Sequence, residues 1–203
     1  MPLIMRPATT DDAGAIDRLA KQSAAVLRNL GDTTDFKFNK EEVLHPNGEL
    51  IQKFYSCFQA RDAAGMSACY HPDVTFSDPV FRELHGAQVS AMWHMLCARA
   101  TDLQITFNVV DADDKRAAAH WEAHYSFGRA KRHVHNIIDA TFAFRDTRII
   151  EHIDRFDLWR WTRMALGPMG QALGWTPMLQ SKVHKDARQG LDTFIHKHTA
   201  QDT

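Results

Sequence analysis

The chain has 203 residues and a mass of 23.1 kDa, enough for one domain with appendages and too little for two of ordinary size. Hydrophobic residues make up 44% and charged residues 24%, which excludes a disordered or low-complexity chain. Lys+Arg 24 against Asp+Glu 25 leaves a net charge of -1, so no basic field exists to hold a phosphate backbone, and nucleic acid is excluded as a partner.

Residues 1–46 form an N-terminal extension with a strand-like Leu3-Ile4-Met5, a helical pattern over Ile16 to Leu30 and a polar linker. No apolar signal core precedes Asp11-Asp12, and Cys57, Cys69 and Cys97 make no Cys-x-x-Cys pair, so a cytoplasmic protein with buried thiols is expected. Leu50, Ile51, Phe54, Tyr55 and Phe58 then recur at helical spacing behind the His45-Pro46-Asn47-Gly48 break. A short helix from Arg61 to about Tyr70 and a short strand at Val74-Thr75-Phe76, stopped by Asp78-Pro79, come next. Val89, Met92, Trp93 and Leu96 mark another amphipathic helix. Leu103, Ile105, Phe107 and Val109 alternate with polar residues as a strand does, and further strands follow at about 116–127, 131–145 and 149–157.

Beyond the meander, Leu158, Trp161, Thr162 and Ala165 continue as a helix, and Val183, Ala187, Leu191, Phe194 and Ile195 mark a last one. Between them, Ala165–Ser181 is the longest stretch without charge, but Gly167, Pro168, Gly170, Gly174 and Pro177 rule it out as a membrane span. Those residues also predict an irregular, lid-like segment within a C-terminal extension, residues 161–203. Helices followed by an antiparallel meander define an α+β domain over residues 47–160, with helices gathered on one face of a curved sheet.

The stretches "LIQKFYSCFQARDAAGMSAC" (50–69), "YHPDVTFSDPVF" (70–81) and "FAFRDTRIIEHIDRFDLW" (142–159) resemble the SnoaL-like and ketosteroid-isomerase-like branch of the NTF2-like superfamily. That resemblance implies a cone-shaped fold around an apolar pocket and cofactor-free chemistry. It does not fix the reaction, because one fold carries isomerases, cyclases, epoxide hydrolases and binding proteins alike. The N-terminal "IMRPATTDDAGAIDRLAKQS" is similar to the opening strand and helix of GNAT-type acetyltransferases, but an extension of this length cannot build that fold.

In the isomerases the aspartate of the Asp-Pro-Val segment is the general base, a role the resemblance carries to Asp78. A carboxylate at a strand end under an apolar helix is partly desolvated, as a base working near neutral pH requires. Asp-Pro is also a frequent turn signal, which gives Asp78 a purely structural alternative. The isomerases' oxyanion-holding tyrosine aligns with Phe54 and their protonated aspartate with Ala140, so ketosteroid isomerisation itself is not expected. Asp154 matches an acidic catalytic position of limonene-type epoxide hydrolases, whose Arg-x-Asp pair falls on Trp121 and Ala123 here. Alternation along the strands puts His152, Asp154 and Phe156 on one face with Asn136, Ile138 and Ala140 and with Trp121, Ala123 and Tyr125.

The expected catalytic groups are therefore Asp78 and Asp154. The pocket wall is expected from Phe54, Trp121, Tyr125, Asn136, Ile138, Ala140, His152 and Phe156, with no cofactor and no metal. The expected reaction is isomerisation, cyclisation or dehydration of a small carbonyl-bearing or polycyclic molecule. A non-catalytic ligand-binding or assembly domain of the same fold is the alternative. On the other sheet face His120, Glu122 and His124 alternate on one strand, and His133, His135 and Asp139 on the next. Histidines on a flat sheet are expected to splay apart, so this face is read as a homodimer interface burying His124 and His135 rather than as a zinc site.

Overall fold

A computed structural model of the chain describes residues 44–199. The expected N-terminal strand and helix, with the GNAT-like motif, lie outside the described residues. Helix α1 (Pro46–Gln59) starts earlier than the apolar pattern, because Pro46 occupies the first helical position, where no N–H partner is needed. His45 caps it, its Nδ1 accepting from the Asn47 N–H at 3.1 Å. Ile51, Phe54, Tyr55 and Phe58 form its buried face. Asp62 caps the short α2 (Ala63–Ala68) by accepting from the Gly65 N–H at 2.9 Å.

The sheet comprises β1 (Tyr70–Ser77), β2 (Leu84–His85), β3 (Gln104–Ala112), β4 (Arg116–Phe127), β5 (Arg132–Arg145) and β6 (Arg148–Arg155), in the order β2-β1-β6-β5-β4-β3. Only β1 and β6 run parallel; the other pairs are antiparallel. Helix α3 (Ala87–Arg99) and α1 cover the concave face, and Trp93, Tyr55, Phe54, Phe76, Ile51 and Met66 are its largest fully buried side chains. Three registers position the site. Phe76 pairs with His152 and Ser77 with Ile153, so Asp78, one residue past the end of β1, comes level with Asp154. Asp154 pairs with Ala140, and Trp121 with Ile138.

The C-terminal segment departs from the sequence expectation. The two expected helices are present as α4 (Leu158–Leu166) and α6 (Pro177–Thr199), but the stretch between them is not irregular: it holds a third helix, α5 (Pro168–Leu173), and α6 already begins at Pro177. Most of the helix breakers sit at boundaries. Pro168 and Pro177 each open a helix, and Gly167 takes the turn between α4 and α5 at φ 63. Gly170 lies inside α5, where its bare Cα lets the helix approach the Thr162 carbonyl. Trp161 and Ala165 of α4 build a second apolar cluster with Val134, and Leu191 of α6 is fully buried in the main core. No described helix is long and apolar enough to cross a membrane.

Candidate functional site: two carboxylates and a buried hydrogen-bond chain

Asp78 closes its own turn. Its Oδ1 accepts from the Val80 N–H at 2.7 Å and from the Phe81 N–H, and its N–H donates to the Phe81 carbonyl at 2.9 Å. Oδ2 makes no hydrogen bond among the described residues, so one oxygen anchors the carboxyl and the other stays available. Burial raises its pKa, the Phe81 N–H pulls it back, the Asp154 charge raises it again and the Val80 N–H lowers it, for a final value of about 7.

Asp154 is 4% exposed and pairs with neither Arg155 nor Arg132. Arg155 donates instead to the Thr141 hydroxyl. Asp154 Oδ1 takes the Trp121 Nε1–H at 3.3 Å and lies 3.0 Å from His152 Nε2. His152, fully buried, has its Nδ1 2.7 Å from the Tyr70 hydroxyl, which accepts from Trp93 Nε1–H at 2.9 Å. With Asp154 ionised, the donors run one way: Trp93 to Tyr70, Tyr70 to His152 Nδ1, and His152 Nε2–H to Asp154. Phe54, Phe76 and Phe142 wall the imidazole, their centroids 5.6, 5.1 and 4.3 Å from it, so the ring has no room to turn.

The other expected wall residues are distributed around this chain. Asn136 (8% exposed), Ile138 and Ala140 are buried on β5, and the Asn136 side chain makes no hydrogen bond among the described residues. Tyr125 accepts from Trp161 Nε1–H at 2.8 Å; burial pushes its phenol up to about 12 against the pull of that bond, with Asp78 adding to the rise. Phe156 packs in both apolar clusters. Phe54 is fully buried, with aromatic rings on several sides. His71 sits at the opposite end of β1 against Asp73 and Asp146.

Three participants escaped the sequence reading. Tyr70 and Trp93 complete the chain through His152, and Tyr55, stacked on Phe107 at 5.2 Å, buries a hydroxyl with no hydrogen-bond partner. Burial first, then the Asp154 charge, raises the Tyr55 phenol well above its ordinary range. The Tyr in "YHPD" was the available signal for Tyr70; nothing in the sequence links Trp93 to it. A groove of about 700 Å³ opens elsewhere, between α3 and α6, lined by Ala91, His94, Ala98, Phe194 and Ile195, and none of the expected site residues lines it.

A curved six-stranded sheet with helices on its concave face is the architecture of NTF2-like proteins. The chain belongs to the SnoaL-like domain family, whose model matches residues 51–152. Among solved structures it is similar to a protein of Jannaschia sp. CCS1 assigned as a SnoaL-like polyketide cyclase, at 13% identity and TM-score 0.55, covering 64% of this chain and 98% of that one. It is also similar to a protein of Catenulispora acidiphila DSM 44928 with a ketosteroid isomerase-like fold, in complex with trimethylamine, at 14% identity and TM-score 0.53, covering 64% and 98%. TerC co-crystallised with polyporic acid matches at 16% identity and TM-score 0.53, covering 61% and 100%. At these identities the likeness speaks for the fold. No curated protein matches the chain.

Proposed function

We propose that the chain is a cofactor-free acid/base enzyme that moves a proton on a small carbonyl-bearing or polycyclic molecule, with Asp78 as the base. The observation that carries this reading is the Asp78 carboxyl itself, anchored through Oδ1, free at Oδ2 and pushed up to about 7. A base with that pKa is half ionised at neutral pH and strong enough to take a carbon-bound proton next to a carbonyl. Asp154, held by His152 and Trp121, keeps a second carboxyl beside it, and the Tyr55 hydroxyl supplies an unsatisfied donor for the oxygen on which charge develops. A buried hydroxyl without a partner costs about 1–3 kcal/mol, which a bound oxygen would recover.

Native mass spectrometry of the purified chain identifies what co-purifies. NMR in D2O then follows deuterium entering that compound next to its carbonyl. Exchange that depends on Asp78 supports the enzyme. Tight binding without exchange supports the second reading, a ligand-binding or assembly domain, which is favoured by the fact that both hydrogen bonds to Oδ1 close the Asp78 turn. The proposal includes a cytoplasmic homodimer joined through the outer sheet face, supported by its half-buried His124 and His135. Sedimentation at about pH 7.5 that finds only monomer overturns the dimer.

A further inference from the structure

The histidines of the outer sheet face do not splay apart. His124 on β4 lies opposite His135 on β5, and their rings stack with centroids 3.9 Å apart and planes 16° apart. Glu122, two residues before His124 on the same strand face, brings Oε2 to 2.5 Å from His135 Nε2. One ligand atom from each of Glu122, His124 and His135 can be chosen so that all lie within 4.8 Å of one another, and all three side chains are half-buried. Among the described residues this is the one grouping of three or more His, Cys and carboxylate side chains with that convergence.

From this geometry we infer that Glu122, His124 and His135 form a binding site for a divalent transition metal of the zinc class, with the fourth position left to water while the outer face is unpaired. The chemistry of the donors fits: two imidazoles and a carboxylate are a common ligand set for zinc with an open position. The distances fit as well. Ligands about 2.0–2.1 Å from a tetrahedral zinc stand about 3.3 Å from one another, so the three atoms need shifts of about 1 Å, within reach of side-chain rotation. His124 makes no hydrogen bond among the described residues, so a lone pair is free on its ring. The metal takes the place of the proton shared by His135 Nε2 and Glu122 Oε2, and that proton passes to solvent.

An outer shell is already built. His120 Nδ1 lies 2.8 Å from Asp139 Oδ1, and its Nε2 lies 3.7 Å from the other Glu122 oxygen. Asp139 thus orients His120, and His120 steadies the carboxylate that would ligate. His133, with its ring 5.6 Å from that of His124, stands beside the site. The neighbouring strand β3 adds only neutral groups at this level, Gln104, Thr106 and Asn108. The site lies on the convex side of the sheet, away from the helices covering the candidate catalytic chain, and so represents a function separate from the proposed proton transfer.

The test uses the tag-free full-length chain, stripped with a chelator and titrated with zinc chloride by calorimetry, at a concentration where sedimentation finds one species. One zinc per chain is expected. His124→Ala, His135→Ala and Glu122→Gln should each remove this saturable uptake, and His120→Ala should weaken it by about tenfold, as loss of an outer-shell partner does. Cobalt in place of zinc should give the strong visible absorption of a four-coordinate site, absent from the His124→Ala/His135→Ala double variant. Thermal unfolding without metal checks that each variant folds, and His196→Ala/His198→Ala should bind as the parent does. Weak, unsaturable uptake by the parent chain overturns the site, and so does a double variant that still takes up one tight equivalent.

Discussion

Asp78 holds its turn with one oxygen and offers the other, so its two roles separate on substitution. Asparagine keeps an acceptor for the Val80 and Phe81 N–H groups but cannot take a proton. Asp78→Asn should therefore fold and lose roughly 10²- to 10⁴-fold in turnover, measured on the compound that co-purifies. The rate of the parent chain should rise with pH and level off above an inflection near 7, where the base becomes ionised. Stability should run the other way. The folded-state pKa of about 7 lies above the ordinary 3.8, so the native chain keeps a proton that the unfolded chain releases. That contribution is complete below about pH 4 and is lost as pH rises through about 7. Thermal unfolding should accordingly find Asp78→Asn more stable than the parent at pH 8, by on the order of 1 kcal/mol after allowance for partial solvation, with little difference at pH 4. Tyr55→Phe tests the orphan hydroxyl. It should leave stability unchanged or raise it by up to about 1 kcal/mol, because it removes an unsatisfied buried group, yet slow turnover about 10-fold or more. Unchanged turnover would remove Tyr55 from the mechanism.

Short connections set the geometry of the elements, and two of them make sharp tests. The β5–β6 hairpin turns on Asp146 and Thr147, both at positive φ (50 and 60). This two-residue geometry matches the twist of the strands, but it places a β-branched residue where glycine or asparagine is favoured. Thr147→Gly should raise the thermal midpoint by the equivalent of about 1 kcal/mol, the cost of the left-handed conformation. Gly170 has the opposite character. A Cβ there meets the Thr162 carbonyl, a backbone atom that cannot move without bending α4. Gly170→Ala should cost about 1–3 kcal/mol in denaturant unfolding, and the Trp161–Tyr125 bond that ties α4 to the site should loosen with it, seen as a shift in tryptophan fluorescence.

Across the whole domain, the C-terminal helices belong to the core although the family match ends at residue 152. Leu191 of α6, a helix that packs against α3, is fully buried in the main core, and His184 Nδ1 lies 2.9 Å from the carbonyl of Val80, inside the loop that Asp78 closes. Leu191→Ala should therefore destabilise the domain as a core truncation does, by about 2–4 kcal/mol in urea unfolding. A surface-like cost under 1 kcal/mol would mean that α6 is an appendage.

Local patterns carried much of this information. Period-3.6 and period-2 spacing placed α1, α3 and every strand but the two-residue β2 within a few residues, because burial on one face acts over a few neighbours and two residues are too few to show a period. Strand alternation also put His152, Asp154, Asn136, Trp121 and Tyr125 on a common face, since side-chain direction in a strand depends only on parity. The short helix α5 and the early start of α6 were missed because proline and glycine break a helix in its middle but open or end one at its boundary, and composition does not distinguish these positions. The chain from Trp93 through Tyr70 and His152 to Asp154 depends on the parallel pairing of β1 with β6 and on a helix laid across both. The approach of Glu122, His124 and His135 depends on a register that a shift of two residues would undo. The sequence by itself determined which residues face inward. The tertiary structure decided which of them touch, because contacts between residues far apart in the chain follow from register and packing.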